Sequence, residues 1–88
     1  MKIKKGFVMR KVAGSAVVIA TGEASKSFHG MVRLNATGAD IWQGVADGLD
    51  ENAITDRLME NYEVDREKAY EDVVTTVNKM KEAGFIEE

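Results

Sequence analysis

The apolar residues of this chain change their spacing once, near Asn35, and that switch limits the folds open to it. Before Asn35 they come in short β-branched runs broken by glycine; after it they recur at the helical period. Phe7–Ala13 reads as a strand, Gly14-Ser15 as a turn, and Ala16–Thr21, with its Val17-Val18-Ile19 run, as a second strand, so Phe7–Thr21 is an expected hairpin. Gly22–Phe28 is small and polar, the composition of a loop. Gly30–Asn35 is a third, short strand. There Val32 and Leu34 alternate with Met31 and Arg33, so one face should meet a core.

Three helices follow. Asn35 or Thr37 can cap the first, which runs to about Asp47 with Ile41, Trp42 and Val45 as its apolar stripe and Gly48 as its stop. Asp50 can cap the second, with Ala53, Ile54, Leu58 and Met59 turned inward and an end near Tyr62. The third spans about Arg66–Ala83 behind Asp65, an acid favourable at a helix start. Its residues Ala69, Tyr70, Val73, Val74, Val77 and Met80 fall within an arc of about 140°. That is wider than packing on one neighbour requires. A bundle around the helix accounts for it, and so does a second surface such as a sheet edge or a ligand. Gly84 ends the helix, and Phe85-Ile86 can fold back as an apolar clasp.

With 88 residues the chain supports one modest core. The expectation is therefore a single α+β domain over residues 1–88, with the hairpin and third strand in 1–35 and three helices in 36–88. There is no cysteine and one histidine, His29, too few ligands for a zinc site, which needs three or four, so no metal or cofactor is expected. The start, Met1-Lys2-Ile3-Lys4-Lys5, is basic, but the apolar Phe7-Val8-Met9 ends at Arg10-Lys11, too short for a signal peptide. No stretch approaches a membrane span, and the expected location is cytoplasmic, with no membrane partner.

No catalytic constellation is present. His29 has no serine or acid beside it, and the acids of residues 50–72 sit at solvent-facing helical positions. Gly38, Gly44 and Gly48 form no phosphate loop. Trp42 belongs to an apolar stripe and reads as core. Charge is divided: residues 1–35 hold seven Lys/Arg and one acid, Glu23, while residues 50–72 hold nine acids and three bases. A solvated surface explains such a split, and steering of a charged partner to one side is its functional counterpart.

From residue 34 the order of residues becomes specific. Leu34-Asn35-Ala36-Thr37-Gly38-Ala39-Asp40-Ile41-Trp42 resembles the L-N-x-T-G-x-x-I-W signature of PqqD-like proteins. It is followed, as in that family, by Asp47-Gly48, Ile54 and Leu58, Tyr62-Glu63-Val64-Asp65, Asp72-Val73 and a closing Gly84-Phe85-Ile86; upstream, Phe28-His29-Gly30-Met31-Val32 is similar to short members. Gly44 and Val77 depart from the pattern, which favours larger apolar residues there. The resemblance implies a three-stranded antiparallel sheet followed by a three-helix bundle, winged-helix-like, in agreement with the elements read from the spacing.

It also implies a role. PqqD-like proteins are non-catalytic chaperones that bind the leader of a ribosomally made precursor peptide and present it to a radical S-adenosylmethionine (radical SAM) enzyme. An exposed sheet edge suits that role, since it offers unpaired N–H and C=O groups to an extended chain. By the same resemblance the peptide site is placed at Met31, Val32, Arg33 and Leu34 and at Tyr70, Val74, Val77 and Lys81. Two other classes share the element order. A winged-helix DNA-binding regulator needs a basic recognition helix, whereas the third helix opens Asp65-Arg66-Glu67-Lys68 and continues Glu71-Asp72, which repels phosphate; no nucleic acid partner is expected. A small dimeric module, with sheet edges paired between copies to make a homodimer, is compatible with peptide binding.

Overall fold

The computed structural model describes residues 1–27 and 31–87, and of Ser27 the backbone alone. The expected elements appear in the expected order, as strands β2 (Phe7–Val12), β3 (Ser15–Ala20) and β4 (Met31–Leu34), and helices α2 (Ala36–Ala46), α3 (Glu51–Asn61) and α4 (Arg66–Glu82). Three short elements were not anticipated. A helical turn α1 (Ala24–Ser27) stands where a loop was expected, and β1 (Lys2–Ile3) pairs antiparallel with β5 (Ile86–Glu87). Two-residue strands carry no periodicity, so only the meeting of the two ends reveals them. The expectations at Phe28, His29 and Gly30 lie outside the described residues.

β2, β3 and β4 form an antiparallel sheet in that order, so β2 and β4 are its edges. The hairpin turn is Ala13-Gly14, one residue earlier than the Gly14-Ser15 signal. Both residues have positive φ, 52° and 82°, the pair of left-handed conformations that a two-residue turn needs to match strand twist. Register places Met9 opposite Val18 and Val18 opposite Val32. Phe7, Met9, Val18, Val32 and Leu34 thus share the face that meets the helices, and Met31 and Arg33 point away.

Each of α2, α3 and α4 is started by a capping side chain. Asn35 accepts from Gly38 N–H at 2.7 Å, Asp50 from Ala53 N–H at 2.8 Å and Asp65 from Lys68 N–H at 2.8 Å. The core gathers Val18, Ile41, Trp42, Val45, Ile54, Leu58, Val73, Val77, Met80 and Phe85. Phe85 stands edge-on to both Trp42 and Phe7, with ring centroids 5.5 and 5.0 Å away, which fulfils the expected clasp. Two inward assignments are corrected. Met59 is exposed, and of the wide α4 arc the core takes Ala69, Val73, Val77 and Met80 while Tyr70 stays exposed and Val74 half-buried. The arc narrows because α3 and α2 pack against one side of α4.

Gly44 has a physical reason. A Cβ there would lie 2.7 Å from Ile54 Cγ1, so α2 and α3 come too close for any side chain at this position. Across the same helix pair, Tyr62 donates its hydroxyl to Asp40 at 2.7 Å, and Arg57 pairs with Asp47 at 2.8 Å.

Candidate peptide-binding groove

The hydrogen-bond parity of the sheet decides which backbone groups are available at its edges. In an antiparallel pair, residues alternate between those that exchange hydrogen bonds and those that turn their N–H and C=O to the other side. Thr21 N–H donates to Gly6 C=O at 2.7 Å, directly beyond the Phe7–Ala20 pair. Val8–Ile19, Arg10–Val17 and Val12–Ser15 are therefore the bonded pairs of the hairpin. Val12–Ser15 also closes a two-residue turn, as a bonded pair does. β3 then turns Ala16 and Val18 toward β4. Their partners Leu34 and Val32 are bonded inward, and Met31 and Arg33 direct their backbone groups to the open edge. Among the described residues no further strand pairs with that edge.

Beside this edge lies a groove of about 300 Å³ between β4 and α4. Val32 and Leu34 form its strand wall, and Thr76, Lys79, Met80 and Ala83 its helix wall. Trp42 and Phe85, both buried, close the floor. Thr76 and Ala83 sit two turns apart on one face of α4, and their small side chains keep the groove open on either side of Met80. Among the described residues Lys79 is the one charged member of the lining, and it is exposed, as suits a side chain that can lay its aliphatic stem on an apolar wall and keep its ammonium in water.

The motif around Asn35 holds β4 in place. Leu34 lines the groove, Asn35 caps α2, and Thr37 donates to the same Asn35 Oδ1 at 3.2 Å. At Gly38 a Cβ would stand 2.9 Å from that oxygen, so the cap needs the glycine. Ile41 and Trp42 then enter the core one turn later. This run fixes the angle between strand edge and helices and supplies no reactive group.

The expected site residues separate into two groups. Val32 and Leu34 line the groove with their side chains; Met31, 64% exposed, and Arg33 offer backbone groups at its edge. The structure does not bring Tyr70, Val74, Val77 and Lys81 to the same place. Val77 is in the core, and Val74 lies about 160° around the helix from Thr76 at the helical period. Tyr70, Val74 and Lys81 thus occupy the far side of α4. Of the stripe that does line the groove, Thr76–Met80–Ala83, only Met80 belongs to the apolar arc, because the other two members are small. Its legible signal was small residues seven apart flanking a methionine.

Among the described residues two groups, both away from the groove, depart from their usual titration. The hydrogen bond from Arg57, then that from Gln43, holds the Asp47 carboxyl below the usual range. The bond to Asp40, aided by burial and by the carboxylate charge, pushes the Tyr62 phenol up. No cluster of three His, Cys, Asp or Glu is placed to hold a metal among the described residues, and among them no helix is long and apolar enough to cross a membrane.

Comparison with known proteins supplies the context. Residues 16–86 match the family described as coenzyme PQQ synthesis protein D (PqqD). No curated protein matches the chain. Among solved structures, TbiB1 in complex with the TbiA(β) leader peptide superposes with a TM-score of 0.81 at 22% identity, covering 99% of this chain and 95% of that one. Lasso peptide synthetase B1 complexed with the leader peptide does so with a TM-score of 0.77 at 24% identity, covering 96% and 93%. At these identities the likeness establishes a shared fold.

Proposed function

The chain belongs to the PqqD family, and on that premise we propose that it is a non-catalytic recognition domain that binds the leader segment of a precursor peptide as an added strand on β4. The observation that carries this reading is the coincidence of an open strand edge with an apolar groove. Met31 and Arg33 offer backbone N–H and C=O groups, and alternate side chains of an added strand project into the space between Val32, Leu34 and α4. Backbone pairing gives affinity with little demand on sequence, and the groove gives selectivity. Two structures of the same fold, TbiB1 and a lasso peptide synthetase B1, are complexes with leader peptides, which supports the reading.

In the proposed mechanism the domain performs no chemistry. It holds the leader while a separate enzyme, for this family a radical SAM maturase, acts on the rest of the peptide. Joint engagement of leader and enzyme raises the local substrate concentration, to the order of mM for a short tether. The peptide contacts proposed are Met31, Val32, Arg33 and Leu34 with Thr76, Met80 and Ala83. The test is titration of the precursor's leader into isotopically labelled protein. Amide shifts are expected along residues 31–34 and 76–83. Saturable binding whose shifts fall on Tyr70, Val74 and Lys81 instead would move the site to the far side of α4, and absence of binding would reject the function.

A further inference from the structure

The sheet has a second open edge, β2. The same parity that frees Met31 and Arg33 turns the N–H and C=O of Met9 and Lys11 outward, and neither residue has a backbone bond beyond the β2–β3 ladder among the described residues. A depression of about 510 Å³ opens beside this edge, walled by Ile3, Met9, Trp42 and Ala46 and rimmed by Lys4 and Lys5. Trp42 therefore contributes to two grooves, one beside each sheet edge. The first eleven residues hold five Lys/Arg and no acid. Lys2 pairs with Glu87 at 3.3 Å, while Lys4, Lys5, Arg10 and Lys11 have no ion-pair partner among the described residues.

We propose that the β2 edge is a second strand-accepting site, and that its occupant is an extended, acid-rich segment of a partner protein. Edge geometry supplies the backbone pairing, the depression accepts alternate apolar side chains, and the unpaired lysines select carboxylates. A second copy of this chain is disfavoured by its own charge: two antiparallel β2 edges paired about Arg10 or Lys11 set that cation beside its own copy. Eight of the chain's fifteen acids, moreover, lie within α2, α3 and α4, which cannot present them as a strand. The two edges are separated by two strand spacings of about 4.8 Å each, so both can be filled at once. One domain then joins two chains without competition between them. The inference goes beyond the leader-binding reading and does not depend on it.

The experiment uses a short capped peptide alternating glutamate with valine, and its lysine counterpart, each titrated into the whole labelled chain at low and physiological salt. Expected are saturable amide shifts at Met9 and Lys11 with the glutamate peptide, weakened by salt, and none there with the lysine peptide. Lys4→Glu/Lys5→Glu, two exposed changes that leave the melting temperature in place, should weaken binding about tenfold, as two exposed attractions become repulsions. Shifts confined to Met31–Leu34 would place the probe on the other edge and overturn the proposal. Absence of saturable shifts would overturn it too, leaving the lysines as guards of a bare strand edge. Unchanged affinity in the double variant would remove the charge selection on which the choice of partner rests.

Discussion

Proline substitution along β4 separates the two faces of its backbone, because the parity of the sheet makes adjacent positions unequal. Val32 N–H donates inward to the carbonyl of Val18, a fully buried residue. Val32→Pro removes that bond, worth about 0.5–1.5 kcal/mol, and strands a buried carbonyl at a further cost of about 1–3 kcal/mol. The expected loss is about 2–4 kcal/mol, a large share of the roughly 5–15 kcal/mol that holds a domain together. Arg33 N–H points to the open edge, so Arg33→Pro removes no ladder bond, and the residue before it is already extended as proline requires. Its cost should stay below about 1 kcal/mol. In the proposed leader complex, however, that N–H would be one of the pairing groups, and its loss should weaken binding about three- to tenfold relative to Arg33→Ala, which removes only the side chain. Thermal melting and calorimetric titration of the three variants decide it. If Arg33→Pro unfolds the protein while Val32→Pro does not, the parity is reversed. If Arg33→Pro binds the leader as well as Arg33→Ala does, the peptide does not add to this edge.

Trp42→Ala empties the centre of the core and should cost about 3–5 kcal/mol, leaving a domain this small largely unfolded in a melting experiment; a shift of a degree or two would contradict its burial. Gly44→Ala forces a methyl against Ile54 Cγ1 and should cost about 1–3 kcal/mol, a cost that should shrink in an Ile54→Ala background where that carbon is gone, as read by denaturant midpoints. Asp47 has a lowered pKa in the folded chain, so its contribution is present above the unfolded value and is lost as pH falls through the folded one. Asp47→Asn should therefore flatten the acid limb of a stability–pH curve below about pH 4. Tyr62 has a raised pKa, so its contribution is present below the unfolded value of about 10 and lost as pH rises through the folded one; Tyr62→Phe should be less stable than the parent at neutral pH, with the gap closing in alkali.

Sequence alone determined the local order of this protein. The change from runs of β-branched residues to helical spacing placed the principal strands and helices, because hydrophobic period is a property of contiguous residues. Asn35, Asp50 and Asp65 marked helix starts, because a cap bonds an N–H three residues on. The alternation in β4 correctly divided Val32 and Leu34 from Met31 and Arg33. Tertiary structure decided what distant segments do to one another. It paired β1 with β5 across the length of the chain, made Gly44 a contact point for α3, and set the rotation of α4 about its axis. That rotation chose the groove wall. An apolar arc states which residues avoid water, but Tyr70 and Val74 on one margin and Thr76 and Ala83 beyond the other are equivalent until β4 is laid against one side. The neighbour selects the stripe, and the neighbour lies more than forty residues away in sequence.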